Sequence, residues 1–558
     1  MITPRLRVTS SRSGSWAILL AVTLLYGVVA LCLQYRCQAF RADYAGYFDE
    51  PSHYLNGLLI RDYVGSNTAL SPFAYAIDYY SHYPKVTFGH WPPLFSFLEA
   101  AWMFVFSASR TSVMVMMALQ AATLCTILTL AVWTQTNWWA AIAAGSSLLL
   151  LPITMEQMSM VMTEILLSIM CLAAVMAWAR YQSAPSAGRN ALFGLLASAA
   201  ILVKGDALAL AAVPPLALLL ARDWKLVRRW DFWVAPGMVL LLCAPFYIWT
   251  RSIATLGWEG GTVPTVGYAM STGPGIWVAL ARDLGIPLLV LTGFGLVACL
   301  VTLRRRQNPL LTAAISFLLA ALVFQVVIPA GMEDRKLYYL LPACLIIAAN
   351  GTFALIVRWR PAISPGAAGA LTALLLVGAA ACNFHEITRY DRGFRDVARL
   401  LKQEIPGPGS VVLVSSNYFG EGLLVASVAE AHPRPAPYVI RASEFLADES
   451  WVAGGTYQLR TPTVEMVARE LATLQPGFLV LHDAANRGPV PHHTLLTTLV
   501  NKSPDFYRCI FTKTTQTDAG MERLEVYRAF PTAGTAPNLD QIHAHLQERL
   551  SRFIAVKK

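Results

Sequence analysis

Apolar runs about as long as a lipid bilayer is thick recur along most of this chain, and they constrain its fold more than any other feature. A spanning helix needs ~20 predominantly apolar residues, and the first run, SWAILLAVTLLYGVVALCLQY (15–35), meets that length. The 558 residues are 56% hydrophobic and only 14% charged, whereas a soluble protein carries roughly 25% charged residues. The pattern predicts a polytopic α-helical membrane protein.

Basic clusters between the apolar runs predict the orientation of the spans, because loops rich in Lys and Arg stay on the cytoplasmic side. These clusters lie at 179–190, 222–230, 304–306 and 358–360. An even number of spans must separate any two of them. This holds if the weak run at 94–108, which carries Glu99, lies in the interface instead of crossing. About eleven spans result, with a large external loop at 36–111. The topology also explains the net charge of +10, so we expect no nucleic acid partner.

The composition becomes that of a soluble protein after the last apolar run. Segments rich in β-branched and aromatic residues predict strands, and segments between them have helical periodicity. The strands are predicted at 410–416, 436–442, 477–483, 506–513 and 523–530, and the helices at 418–431 and 463–475. We therefore predict a transmembrane module at 1–383 and a soluble external α/β domain at 384–558.

Two short motifs in the C-terminal region favour ordinary structural interpretations. Gly420 and Gly422 follow a predicted strand, as the glycines of a phosphate-binding turn do, but the third glycine of that motif is missing. A plain connection from strand to helix is the better interpretation. We assign the adjacent His492 and His493 to a loop.

Charged motifs gather in the loops that this topology places outside. They are YFDEPSH (47–53), YPKVTFGHWPP (83–93), MTE (162–164), KGD (204–206) and MEDRK (332–336). An ionisable residue at the mouth of a span is costly and commonly functional. The candidate site residues are the carboxylates Asp49, Glu50 and Glu164 and the basic residues Lys85, His90, Lys204, Arg335 and Lys336.

Asp49 and Glu50 also admit a purely structural interpretation. The Asp-Glu-Pro sequence is a good helix start, because aspartate caps helices, proline is tolerated in the first turn and acidic side chains favour the positive helix end. His53 lies about one turn further along the same face. Lone histidines are more often ordinary hydrogen-bonding groups than metal ligands. His53 and His90 are therefore weak metal candidates, and we expect no required metal or other cofactor.

The cationic residues have structural alternatives as well. Lys85 can meet lipid phosphates at the membrane surface. Lys204 and Asp206 can form a self-satisfied pair that fixes the turn between two short spans. Arg335 and Lys336 follow two acidic residues and can form a local charge cluster, although their place at the entrance of a span suits a bound phosphate equally well.

In order and placement, these motifs resemble the GT-C superfamily of glycosyltransferases, and most closely its protein O-mannosyltransferase and aminoarabinose transferase branch with their bacterial relatives. The likeness covers roughly residues 15–360 and is carried by Asp49-Glu50, HWPPLF (90–95), MTE (162–164), LVKGDAL (202–208) and DRKLYYLLP (334–342). Two departures are visible. The second carboxylate of the family is often aspartate where this chain has Glu164, and Arg335-Lys336 stand where relatives have Arg-Tyr or Gly-Lys.

The resemblance implies an inverting glycosyltransferase that moves a sugar from a polyprenyl-phosphate donor to an acceptor hydroxyl. The candidate carboxylates, Asp49 above all, would accept the proton and stabilise an oxocarbenium-like state. The candidate basic residues would stabilise the leaving phosphate. The implied location is the bacterial inner membrane, with the site and the C-terminal domain in the periplasm. The partners would be the lipid-linked sugar, a glycan, lipid or protein acceptor, and membrane lipids.

Other classes of protein stay open at this point. A secondary transporter would show inverted repeats and charges at the membrane midplane, whereas the polar residues here cluster at one face; the break at LVKGD (202–206) is its best support. A polymerase or ligase of surface polysaccharide could use the same long external loop, and only the placement of Asp49-Glu50 distinguishes it. A degenerate transferase retained as an assembly partner, with a functional C-terminal domain, is the third alternative.

Overall fold

The computed structural model describes residues 12–66, 68–87, 89–256, 265–303, 307–328, 333–405, 409–432, 437–449 and 457–530. The part before residue 382 is almost entirely helical. Its α-helices are α1 (Arg12–Arg36), α2 (Glu50–Gly65), α3 (Pro72–His82), α4 (Leu94–Val105), α5 (Arg110–Trp133), α6 (Trp138–Leu150), α7 (Pro152–Met158), α8 (Glu164–Ser183), α9 (Ala187–Val203), α10 (Val213–Ala221), α11 (Val234–Leu256), α12 (Val266–Leu284), α13 (Ile286–Leu303), α14 (Pro309–Val327), α15 (Leu341–Trp359) and α16 (Pro365–Ala381). Short 3-10 helices occur at Gly205–Ala212, Trp224–Arg228, Trp230–Trp233 and Asp334–Leu340.

Seven helical segments among the described residues are long and apolar enough to cross a membrane. They are Ala17–Arg36, Arg110–Trp133, Glu164–Ser183, Trp230–Arg251, Ile286–Leu303, Pro309–Val327 and Asp334–Trp359. The pair α6 and α7, bent by 65°, forms an eighth if it is one broken span. Shorter apolar helices lie at Leu94–Val105, Ala187–Val203, Gly205–Ala221 and Pro365–Ala381. The chain is therefore an integral membrane protein, and the count of about eleven spans stays a prediction.

The region between the predicted spans at 232–250 and 284–303 contains a helix that the apolar pattern does not reveal. Helix α12 exposes Val266, Met270 and Trp277 on one side, whereas Ile276 and Leu280 are buried. An amphipathic helix of this kind has no continuous apolar run, so the apolar pattern of the sequence does not indicate it. The basic cluster at 304–306 lies outside the described residues.

The predicted interfacial segment at 94–108 contains α4, which packs against α2. The two helices approach closely at Gly57, where an added Cβ would overlap the carboxylate of Glu99. The outer side of α4 exposes Phe97 and Phe104, whereas Glu99 is fully buried. This two-sided character fits a helix at the interface, and its depth in a bilayer stays a prediction.

The C-terminal region forms the predicted α/β structure. Its strands are β1 (Val411–Ser416), β2 (Tyr438–Arg441), β3 (Ala447–Glu449), β4 (Tyr457–Leu459), β5 (Phe478–Asp483), β6 (Tyr507–Thr517) and β7 (Gly520–Ala529), and its helices are α17 (Phe394–Glu404), α18 (Gly420–Ala431), α19 (Ala442–Phe445), α20 (Val464–Leu474) and α21 (Pro491–Lys502). The main sheet has the order β2-β1-β5-β7-β6, and β3 and β4 form a separate hairpin. Strand β1 pairs in parallel with β2 and β5, and β7 is antiparallel to β5 and β6.

The sequence located the strands of the main sheet and the helices α18 and α20 to within a few residues. One assignment is wrong, because His492 and His493 lie in α21 and not in a loop. Pro491 opens this helix, a position where proline is favoured because its missing N–H would have no partner there. The domain boundary at 384 stays a prediction.

Helix α18 occupies a central place in the molecule. Residues 420–429 are all buried, and the helix packs against β1, α17 and also α2 of the membrane module. The C-terminal region therefore packs against the helix that directly follows Asp49.

Candidate functional site

Asp49 immediately precedes α2, as the Asp-Glu-Pro sequence predicts, but its side chain makes no capping hydrogen bond. Oδ2 of Asp49 instead accepts a hydrogen bond from Nη2 of Arg335 at 3.1 Å. The side chain is only 15% exposed. The capping interpretation therefore does not account for this carboxylate, which pairs with a residue far away in the sequence.

Arg335 joins carboxylates from three separate parts of the chain. Nη1 donates to Glu164 at 3.0 Å, Nη2 to Asp49 at 3.1 Å and Nε to Glu333 at 2.6 Å. The ring of Tyr47 lies 3.9 Å from the guanidinium carbon, and its hydroxyl donates to Glu333 at 2.5 Å. Arg335 thus connects the start of α2, the start of α8 and the 3-10 turn in front of α15.

Glu164 is the first residue of α8 and is 1% exposed. Its Oε1 also accepts a hydrogen bond from Nζ of Lys204 at 2.8 Å. Lys204 lies 3.5 Å from Oδ2 of Asp206. The predicted Lys204–Asp206 pair is therefore present. Lys204 also binds Glu164, and Glu164 in turn binds Arg335.

The remaining predicted cationic residues lie around this cluster. Lys336 forms an ion pair with Glu333 at 3.2 Å. Glu333 thus pairs with both Arg335 and Lys336, as a local charge cluster would. Lys85 and His90 are close enough to Asp49 for their charges to lower its pKa. Lys85, His90, Lys204 and Arg335 therefore lie near Asp49 or Glu164, and Lys336 pairs with Glu333, which also contacts Arg335.

Burial and charge act in opposite directions on the acids of this site. Burial raises the pKa of Asp49 above its ordinary value, against the opposing effects of Arg335 and Lys85. Glu333 shows the other outcome, since burial is outweighed by Arg335 and Lys336, which hold its pKa at about 2. Burial also lowers the pKa of His90. Asp49 is thus more basic than an aspartate in water, as a proton acceptor requires.

Glu50 is separate from this cluster and fully buried. Its Oε1 accepts from Nη2 of Arg110 and from the backbone N–H of Val161, each at 3.1 Å. Its Oε2 accepts from the backbone N–H of Gly46 at 2.7 Å. These bonds close the loop around Asp49 and tie it to the segment before α8. A direct catalytic role of Glu50 stays a prediction, and the geometry favours support of its neighbour.

His53 packs in a manner typical of an aromatic core residue. Its ring lies 4.2 Å from the ring of Trp91 and 5.8 Å from that of Phe95. Burial lowers its pKa to about 3, so the imidazole is neutral at physiological pH. No group of three or more His, Cys, Asp or Glu residues placed to hold a metal ion occurs in the described part of the chain. Independence from metals stays a prediction.

Two supporting residues were not among the candidates from the sequence. Tyr47 contacts both Arg335 and Glu333, and Arg110 pairs with Glu50. The sequence could have pointed to Arg110, because it is the first residue of a spanning helix. A charged side chain is costly there and commonly has a partner or a function. Tyr47 had no such signal, because tyrosines near span ends commonly belong to the interfacial belt.

The apolar helices, the charged cluster at their ends and the C-terminal sheet domain define an integral membrane protein with the GT-C fold. No protein-family model matches the chain, and no curated protein matches it. Among solved structures, ArnT from Cupriavidus metallidurans in its apo state aligns with a TM-score of 0.55 and 14% identity over 92% of this chain and 98% of that one. The same protein bound to undecaprenyl phosphate aligns with a TM-score of 0.53 and 13% identity over the same shares.

A second neighbour is the oligosaccharyltransferase of Archaeoglobus fulgidus in its apo form. It aligns with a TM-score of 0.51 and 12% identity over 93% of this chain and 75% of that one. At these identities the likeness is one of fold. The predicted resemblance to the GT-C superfamily is confirmed at that level.

Proposed function

We propose that this protein is an inverting glycosyltransferase that moves a sugar from a polyprenyl-phosphate donor to an acceptor hydroxyl. The observation that carries the proposal is the contact between Asp49 and Arg335, 3.1 Å apart at the ends of membrane helices. It joins a candidate base and a candidate phosphate ligand where a lipid-anchored donor can reach both. The GT-C fold adds support, since one protein with this fold, ArnT, is known bound to undecaprenyl phosphate.

In the proposed reaction, the acceptor oxygen attacks the anomeric carbon while the bond from that carbon to the phosphate oxygen breaks. Asp49 takes the proton of the acceptor hydroxyl, and polyprenyl phosphate leaves with the electron pair of the broken bond. Attack opposite the leaving group inverts the anomeric configuration. The charge of Asp49 also stabilises the oxocarbenium-like state, and Arg335 and Lys85 stabilise the departing phosphate.

The ion pair between Asp49 and Arg335 means that donor binding would also change the basicity of Asp49. A donor phosphate would compete with Asp49 for Arg335, because the same guanidinium now contacts the carboxylate. Arg335 lowers the pKa of Asp49, so its movement toward phosphate would make Asp49 a stronger base. Glu164, held by both Lys204 and Arg335, would keep the guanidinium in reach of both partners. The donor would therefore activate the base that deprotonates the acceptor hydroxyl.

We place this reaction at the outer face of the bacterial inner membrane, with the C-terminal domain in the periplasm. The support is the predicted charge topology. In a cysteine-free background, Ser66→Cys should react with an impermeant thiol reagent in cells whose outer barrier has been removed, and Lys225→Cys should not. Labelling of Lys225→Cys alone would invert the orientation and remove the periplasmic assignment.

The function is tested by transfer assays with purified protein, lipid extract and several polyprenyl-phosphate sugars. Asp49→Asn removes the charge but keeps the size of the side chain, so transfer should fall by ~10²–10⁴-fold while binding of undecaprenyl phosphate persists. Asp505→Asn, an exposed aspartate of the C-terminal domain, is the matched control. Full activity of Asp49→Asn would exclude this carboxylate as the base. Movement of a sugar lipid across vesicles without transfer would instead support a transporter.

A further inference from the structure

The C-terminal end of α18 contacts the loop region that contains Asp49. Oε1 of Glu430 accepts a hydrogen bond from the backbone N–H of Arg110 at 2.8 Å, and its Oε2 accepts from the hydroxyl of Tyr44 at 3.1 Å. Arg395 lies 3.8 Å from the same carboxylate. A single glutamate of the C-terminal domain therefore holds the first residue of the spanning helix α5.

Arg110 passes this contact on to the loop that contains Asp49. Its guanidinium pairs with Glu50 at 3.1 Å, and both side chains are at most 1% exposed. It also donates to the carbonyl oxygen of Ala39. Because Glu50 in turn binds the N–H of Gly46, Asp49 sits in a loop whose two ends are fixed by one carboxylate. Glu430 is thus connected to Asp49 by a hydrogen bond to Arg110, by the hydrogen bond from Arg110 to Glu50, and by the peptide bond between Glu50 and Asp49.

The N-terminal end of α18 contacts the turn that carries Lys85. A Cβ added to Gly422 would lie only 3.2 Å from Cε of Lys85. The aliphatic part of Lys85 therefore crosses α18 at Gly422, where the glycine has no side chain to block it. The same turn accepts a hydrogen bond from Arg441 at the carbonyl oxygen of Pro84, at 3.4 Å. Just before it, His82 stacks on Tyr438 with ring centres 4.1 Å apart.

We propose that α18 is a positioning element of the active site. Through Arg110 and Glu50, Glu430 places the base Asp49, and Gly422 leaves the space in which Lys85 reaches the donor phosphate. This assignment rests on the proposed function and gives the C-terminal domain a part in it. The competing interpretation is that the domain only stabilises the membrane module, in which case both ends of α18 would affect catalysis alike.

The two ends predict different kinetic effects in the full-length protein. Glu430→Ala should lower kcat by about tenfold to a hundredfold with little change in the donor KM, because a base misplaced by about 1 Å can cost ~10²-fold. Glu430→Gln keeps an oxygen that can accept the Arg110 N–H, and it should restore most of the rate. Gly422→Ala should raise the donor KM by about threefold to tenfold and lower kcat much less than Glu430→Ala does, because it displaces a charged phosphate ligand and leaves the base in place.

Matched controls come from the same domain. Glu404→Ala removes a glutamate whose ion pair with Arg528 is exposed, and Gly488→Ala adds a Cβ with no atom within 4 Å. Neither variant should change kcat or the donor KM. Equal losses of kcat in Glu430→Ala and Gly422→Ala, or losses in the controls, would overturn the proposal.

Hydrogen–deuterium exchange of the full-length protein gives a readout that does not need a substrate. Glu430→Ala should speed exchange in residues 46–50, and Gly422→Ala in residues 85–87, because each loses local protection. Unchanged exchange in both segments would refute the positioning role even in an active enzyme. If exchange changes as expected and the unaltered protein transfers no sugar from any donor, the proposed function fails while the structural coupling stands.

Discussion

Replacing Arg335 with methionine should destabilise the protein by about 3 kcal/mol, since removal of one partner from a buried ion pair costs roughly 3–5 kcal/mol. Glu164 would keep Lys204 at 2.8 Å and Glu333 would keep Lys336 at 3.2 Å. Asp49 would lose the cation that lies 3.1 Å from its carboxylate, and its side chain is only 15% exposed to solvent. The expected loss therefore lies at the low end of the range.

The destabilisation should shrink in acid. Arg335 and Lys336 outweigh burial and hold the pKa of Glu333 at about 2, below its ordinary 4.5. A carboxylate with a lowered pKa in the folded state adds stability above its unfolded pKa and loses it as the pH falls through the folded value. The unaltered protein therefore loses this contribution between pH 4.5 and about 2, whereas Arg335→Met has less of it to lose. The two stability curves should converge over that window.

The assay is unfolding of the detergent-purified proteins, followed by intrinsic fluorescence over a series of pH values. Arg282→Met is the matched control, because Arg282 pairs with the neighbouring Asp334 but is 60% exposed. An exposed pair of this kind is worth roughly 0–1 kcal/mol. Equal destabilisation by the two substitutions, or a gap that does not change with pH, would refute the view that Arg335 is needed to neutralise buried carboxylates.

Three further predictions concern the base, the α2–α4 contact and metals. Transfer should decline as the pH falls, with an acidic limb centred above pH 3.8, because burial raises the pKa of Asp49 over that value and only the ionised form accepts a proton; a flat profile of kcat/KM would contradict this. Gly57→Ala should destabilise by about 1–3 kcal/mol in thermal unfolding, because its Cβ would overlap Glu99, while Gly188→Ala, with open space around it, should have little effect. EDTA should leave transfer unchanged and His53→Phe should keep most of the activity; a loss restored by a divalent cation would show a metal requirement.

The fold was predictable where structure follows local pattern. The main strands combine β-branched residues with nearby turn signals, so their positions followed from the sequence alone. Helix α12 did not, because Arg282 and Asp283 near its end and Pro274 within it interrupt any apolar run. His492 and His493 were misplaced because a proline before them is compatible with a loop and also with the first turn of a helix.

The site was predictable as a set of residues but not as a set of pairs. Asp49, Glu164, Lys204 and Arg335 each stand out as a charge at the mouth of a span. Their contacts join residues 40, 171 and 286 positions apart, and no local pattern encodes such separations. For the same reason, the role of Glu50 could not be distinguished from that of Asp49 until its hydrogen bonds were visible.

The contact between Arg110 and Glu430 has a consequence for how the protein is made. The two residues are 320 positions apart, and at ~5–20 residues per second a ribosome needs roughly 16–64 s to travel from one codon to the other. Every later spanning helix is synthesised in that interval. The loop with Asp49 is therefore synthesised well before the helix that contacts Arg110. The contacts between α18 and this region therefore form late, after the spanning helices that lie between residues 110 and 430 have been synthesised.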